Sequence, residues 1–302
     1  DGVRERWLAT LAEDIARLRS EAREVVVVTS GAIALGRRRL KLQGPLRLDE
    51  KQAASAAGQA GLVEAWQTAF APHAIPVAQI LLTLDDTENR RRYLNARATF
   101  ATLLELGALP LVNENDTIAT AEIRYGDNDR LAAHAAQIAG ADLLIILSDI
   151  DGVYDADPRR APGARRLALI ERITPEIIAA AGAANAAAGV GSGGMASKIA
   201  AAEIAGAAGA ATIIAPGIDD HPLRRLAEKG AATLILAPTS PAKARRQWIG
   251  ARLKPLGEIR IDAGAAKALI GGASLLPAGV TAIAGEFQRG DAVLVLAPDG
   301  GA

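Results

Sequence analysis

Apolar positions along this chain keep two alternating rhythms. Trp7, Leu8, Leu11, Ile15 and Leu18 recur every three or four residues, which predicts an amphipathic helix over about residues 4–20. Residues 25–28 form a compact β-branched run, suited to a strand covered on both faces. It ends in Thr29-Ser30-Gly31, and a helical pattern follows. The same grammar then repeats. Strands are expected at 77–82, 109–112, 143–147 and 211–214, and helices at 90–106, 130–139 and after Lys198. Short apolar strands alternating with helices imply βαβ units. The expected fold is an α/β three-layer αβα sandwich around a mainly parallel central sheet. Near residues 238–254 the text changes to Pro238-Thr239-Ser240-Pro241 and a basic run. Beyond it, short strands at 258–261 and 292–296 and one helix at 263–269 suggest a small β-rich module. The expected division is 1–240 for the α/β unit, 241–254 for a linker and 255–302 for the module.

In open parallel sheets, ligands sit beyond the carboxyl ends of the strands. The polar residues there are Ser30, the tetrad Asn113-Glu114-Asn115-Asp116, and Ser148-Asp149. To this rim belongs Gly189-Val190-Gly191-Ser192-Gly193-Gly194-Met195-Ala196-Ser197-Lys198, which runs into a helix. Glycines let backbone approach a ligand closely, and a helix start presents unpaired N–H groups to phosphate. Lys198 adds a point charge just inside that start. The G-x-x-x-x-G-K-[ST] order of a Walker A loop is absent. Gly126-Asp127-Asn128-Asp129 carries more acid and amide than a helix cap requires. A carboxylate there could hold a lysine in place or help bind a metal–nucleotide. The aspartates of Ser148–Pro158 lack the EF-hand order, so a nucleotide-contacting loop is the better reading than calcium.

Composition narrows the chemistry. No cysteine is present, which excludes disulfides, thiol nucleophiles and iron–sulfur clusters. Three histidines lie far apart without metal-ligand spacing. Lys plus Arg and Asp plus Glu are equal at 34 each, and only 3% of residues are aromatic, so nucleic-acid binding gains no support from charge or stacking. Lys243 to Arg246 is the one candidate basic patch for RNA, with a solvated linker as its plainer reading. Charge-free runs are too short or too interrupted to span a bilayer, and the first residues do not resemble a signal peptide, so a cytoplasmic, non-membrane setting is expected.

Taken in order, Val28-Thr29-Ser30-Gly31-Ala32-Ile33, the 113–116 tetrad, 126–129, 148–158 and 191–198 closely resemble the glutamate 5-kinases of the amino acid kinase superfamily. The tail, including Ser274-Leu275-Leu276-Pro277-Ala278-Gly279-Val280, resembles the start of a PUA domain. The resemblance implies ATP-dependent phosphorylation of the γ-carboxylate of L-glutamate, the first step of proline biosynthesis, with Mg²⁺ bridging the ATP phosphates. It implies that Ser30, Asp116 and Asn128 contact glutamate. It assigns ATP to Ser148, Asp149 and the loop Ser192, Gly193, Gly194, Met195, Ala196, Ser197 and Lys198. Asp129 would orient catalytic lysine, and Lys198 would neutralise the phosphoryl group in flight. Homo-oligomers and inhibition by proline are further family traits. Other kinases of the superfamily, acting on acetylglutamate, aspartate or carbamate, remain as alternatives, as does an RNA-binding or regulatory role through the tail. One departure stands out. Family members begin with an apolar strand carrying a lysine and a Gly-Ser turn, and no such pattern occurs upstream of Ser30. This predicts a shortened chain whose turnover is weak or absent.

Overall fold

The computed structural model describes residues 3–119, 128–158, 161–188, 194–241, 244, 255–288, 291 and 293–298. The chain opens with α1 (Glu5–Ser20), β1 (Val27–Val28), α2 (Ala32–Arg39) and α3 (Leu48–Phe70). It continues through β2 (Val77–Leu82), α4 (Leu84–Glu88), α5 (Arg90–Glu105), β3 (Leu109–Glu114) and α6 (Asn128–Ala139). Then come β4 (Leu143–Ser148), β5 (Leu169–Ile170), α7 (Pro175–Ala188), α8 (Met195–Ala207), β6 (Ala211–Pro216), α9 (Pro222–Lys229) and β7 (Thr233–Ile235).

The expected strands and helices stand within a few residues of their sequence positions. The sheet forms two ladders, β1-β3-β2 and β4-β6-β7-β5. Every pairing in them is parallel except β6 with β7. The short β5 and β7 carry too few residues for a periodic signal, which is why the sequence reading passed over them.

Helices cover both faces. In β3, Leu109 and Leu111 join Leu8, Leu11, Ile15, Leu62, Trp66 and Phe70 of α1 and α3. The alternate residue Val112 joins Tyr93, Phe100, Leu131 and Ile138 of α5 and α6 on the opposite face. This is the period-two alternation of a strand buried on both sides. The second ladder packs Leu144, Ile146, Ile214 and Ile235 against Ile199, Ala201, Ala202 and Ala205 of α8.

Two helices straddle the ladders. Leu147 of β4 and Leu223 of α9 pack on the same cluster as α1 and β3. On the other face, α6 gives Leu131 and Ile138 to one cluster and Ala133 to the next. A stripe of hydrogen bonds reinforces α1. The Trp7 indole Nε1–H donates to Gly217 O at 2.8 Å, and His221 N–H donates to Thr10 Oγ1 at 3.0 Å. Asp14, fully buried, accepts the N–H groups of Leu223 and Arg224, each at 3.0 Å. These donors open α9, so a carboxylate from the first helix satisfies the start of a helix some two hundred residues later.

After the α/β unit comes a separate three-stranded sheet. Gly257–Ile261 pairs in parallel with Val293–Leu296 and antiparallel with Val280–Gly285, and a helix spans Ala263–Ile270. An antiparallel partner at Val280–Gly285 was not anticipated from its Ala- and Gly-rich text. The basic run Lys243 to Arg246 lies outside the described residues apart from Ala244.

Candidate active site

Two groups of side chains gather at the carboxyl ends of the strands. The first surrounds β1 and β3. Val28 is paired with Val112, so Ser30 and Asn113 emerge at the same edge. Gly31 follows in the left-handed region, at φ +106, and caps α2. Glycine reaches that conformation without the strain an L side chain would incur. Thr29, just before Ser30, accepts the Trp66 indole N–H at 3.2 Å. Ser30 itself is exposed.

Helix α3 supplies the wall opposite. Gln52, Ser55 and Gln59 fall at i, i+3 and i+7, one face of a helix. The Gln52 amide donates to Ala119 O at 2.8 Å, and the Ser55 hydroxyl donates to Asp116 Oδ2 at 2.7 Å. The Asn113 amide donates to Gln59 Oε1 at 3.0 Å, while Asn113 Oδ1 accepts the N–H of Glu114 at 3.0 Å. Helix α3 lies this close because α2 and α3 cross at glycines. A methyl on Gly36 would overlap Ala54 O, and one on Gly58 would overlap Ala32 O.

The second group surrounds β4 and β6. The Ser148 hydroxyl donates to Asp149 Oδ1 at 3.0 Å, and Gly217 N–H donates to Ser148 O at 2.7 Å. A cavity of about 390 Å³ is lined by Arg4, Trp7, Leu147, Ser148, Asp149, Lys198, Gly217 and Ile218. That volume suits a small-molecule site. Farther along the acid-rich loop, Asp151 accepts the Tyr154 hydroxyl at 2.9 Å and Asp155 accepts the N–H of Arg165 at 2.8 Å. These two aspartates therefore fold the loop on itself.

A buried ion pair borders this cavity. Lys198, in the first turn of α8, places Nζ 3.0 Å from Asp129 Oδ2 in the first turn of α6. The Ser197 hydroxyl reaches the same oxygen at 3.4 Å. Both partners are largely buried, at 10% and 16% side-chain exposure, so the pair is little screened by solvent. Asn128 adjoins Asp129 and opens α6. Gly194 caps α8 in extended conformation, and Met195, Ala196, Ser197 and Lys198 form its first turn.

Of the residues singled out from sequence, Ser148, Asp149 and Lys198 share the cavity, and Lys198 pairs with Asp129, the residue after Asn128. Ser30 and Asp116 do not line that cavity; they stand at the β1–β3 edge, with Asp116 held by Ser55. Ser192 and Gly193 lie outside the described residues, as do Gly126 and Asp127. Sequence reading missed Trp7, Ser55, Gln59 and Gly217. The only signal for Ser55 and Gln59 was polar residues at helical spacing, which a solvated face shows equally well.

Comparison with known proteins follows this geometry. The model of the amino acid kinase family matches residues 1–215, and that of the PUA domain matches residues 257–302. A glutamate 5-kinase of Caulobacter vibrioides is 61% identical over 290 residues, covering 96% of this chain and 77% of that protein. The glutamate 5-kinase of Rhodospirillum rubrum is 58% identical over 299 residues, 99% of this chain and 79% of its own. That of Paramagnetospirillum magneticum is 56% identical over 293 residues, 97% and 79% respectively. The alternation of strands and helices, the cavity beyond β4 and the lysine at the start of α8 thus have a common explanation: the chain belongs to the amino acid kinase family and carries a PUA domain after it.

Proposed function

We propose that this protein transfers the γ-phosphoryl group of ATP to the γ-carboxylate of L-glutamate, giving L-glutamyl 5-phosphate and ADP, the first step of proline biosynthesis. The identity to glutamate 5-kinases over nearly the whole chain supports this substrate over acetylglutamate, aspartate or carbamate. The observation that carries the reading is the Lys198–Asp129 pair, which holds an ammonium at the cavity lined by Ser148 and Asp149.

The chemistry asks little else of the chain. A free glutamate side chain titrates near about 4.3, so its carboxylate is already ionised at neutral pH and no general base is required. A carboxylate oxygen attacks the γ-phosphorus in line, the bond from phosphorus to the bridging oxygen breaks, and ADP leaves with the electron pair. Catalysis reduces to alignment and to cancelling negative charge. Lys198 supplies charge at the transferring group, and Asp129 fixes its ammonium. Ser148, Asp149 and the sequence Ser192 to Lys198 are assigned to ATP. Ser30, Asp116 and Asn128 are assigned to glutamate. Among the described residues no three His, Asp or Glu side chains gather into a cage for a metal. Asp149, which lines the cavity, is the carboxylate that would hold Mg²⁺ arriving on the nucleotide, and the ion would supply positive charge to the phosphates there.

Proline shares the α-amino and α-carboxylate groups of glutamate, and we assign it to the same cradle as an inhibitor. A homo-oligomer and a cytoplasmic setting complete the reading. Among the described residues no helix is long and apolar enough to cross a membrane.

Glutamate- and ATP-dependent hydroxamate formation tests the assignment. Lys198→Met is expected to lower kcat by about 10²–10³ with a smaller change in KM for glutamate. Undiminished turnover in that variant would remove Lys198 from the chemistry.

A further inference from the structure

One buried donor in the acid-lined group has no partner among the described residues. Gln59 Nε2 is shielded from solvent and makes no hydrogen bond among the described residues. Its orientation is fixed by its neighbours. Asn113 Oδ1 is taken by the N–H of Glu114, so Asn113 turns its amide NH₂ toward Gln59. Gln59 must answer with its oxygen, which leaves its own NH₂ unused. Reversing the Gln59 amide would set two donors face to face. The other two polar side chains on this face of α3 are spent on the protein, Gln52 on Ala119 O and Ser55 on Asp116. Buried donors are nearly always satisfied, and the exceptions call for an explanation.

We infer that the Gln59 amide is a substrate-recognition group that donates to the non-reacting α-carboxylate of the amino-acid substrate. The inference rests on the glutamate reading above and adds a residue and a role to it. Its place favours the α-carboxylate over the γ-carboxylate. The reacting γ-carboxylate has to face the nucleotide cavity where Lys198 sits, and Gln59 does not line that cavity. Gln59 stands instead beside Asn113 at the end of β3, one helical turn along α3 from the Ser55 that holds Asp116. Asp116 is suited to the substrate ammonium and Gln59 to the carboxylate on the same α-carbon. The two would therefore read the two ends of an α-amino acid.

The test is calorimetric titration of the protein and its Gln59→Glu variant with L-glutamate, with L-isoglutamine (whose α-carboxylate is an amide) and with ADP. The variant keeps an oxygen for Asn113 but replaces the donor with an acceptor. L-glutamate is expected to bind about tenfold or more weakly, since a hydrogen bond to a charged group is lost and a like charge is introduced. L-isoglutamine is expected to bind the variant at least as well as it binds the parent, because its amide can donate to the new carboxylate. ADP affinity should hold, reporting an intact nucleotide side. Unchanged glutamate affinity, the result if a buried water answers Nε2, would overturn the inference. So would an equal loss for glutamate and isoglutamine. A variant that no longer binds ADP is replaced by Gln59→Met, for which the glutamate-selective loss is again required. A parent that binds ADP but not glutamate would overturn the glutamate reading itself.

Discussion

Lys198 was legible as a candidate because a charge follows a glycine run at a helix start, and Asp129 because the acids and amide of 126–129 exceed what a helix cap needs. Gln59 was not, since a glutamine on a helix reads as a solvated face until its neighbours are known. His134 on α6 is a third case. Burial holds its imidazole below the ordinary value of 6.5, with Arg130 adding to the effect and a hydrogen bond with Gln137 partly opposing it. The folded protein then resists a proton that the unfolded chain accepts. This contribution to stability is complete above about pH 6.5 and is lost as pH falls through the lower folded value. Urea denaturation from pH 7.5 down to 5 should therefore show declining stability, with a shallower decline in His134→Gln. Identical slopes would assign the acid sensitivity elsewhere.

At the scale of elements, the strands were readable because strands packed inside a sandwich carry near-continuous apolar runs, as β3 does over 109–112 and β4 over 143–147. Helix α3 was harder. Its residues Lys51 to Gly61 are rich in Ala, Gly and Gln, so no apolar stripe marks the inward face. What positions it is the absence of side chains at Gly36 and Gly58, which lets α2 and α3 meet backbone to backbone. Gly58→Ala should push the helices apart and cost about 2 kcal/mol, the order expected for overpacking. Because Ser55 and Gln59 ride on α3, glutamate affinity should fall alongside stability while ADP affinity holds. A Gly58→Ala protein as stable as the parent would mean that the crossing relaxes freely.

Across the whole molecule, the division into an α/β unit and a β-rich tail was visible in composition, and the rim of polar residues beyond the strands followed from the topology. The joining of the two ladders was not. Asp14 sits in an ordinary amphipathic helix, where an acid is expected to face water, yet it is fully buried against residues 221–224. No local pattern encodes a contact over that separation. Asp14→Ala should leave two backbone N–H groups at the start of α9 unanswered and cost about 3 kcal/mol, measurable by equilibrium unfolding. A loss below half that would show that water replaces the carboxylate without difficulty. The same contact sets a schedule for synthesis. While the ribosome is still making anything before residue 221, Asp14 faces a nascent chain that cannot yet supply its partners, so the first helix cannot complete its docking as it emerges. Closure of the two halves is a late event that waits for α9, and a polypeptide stalled short of it would carry a carboxylate in a seat meant to be dry.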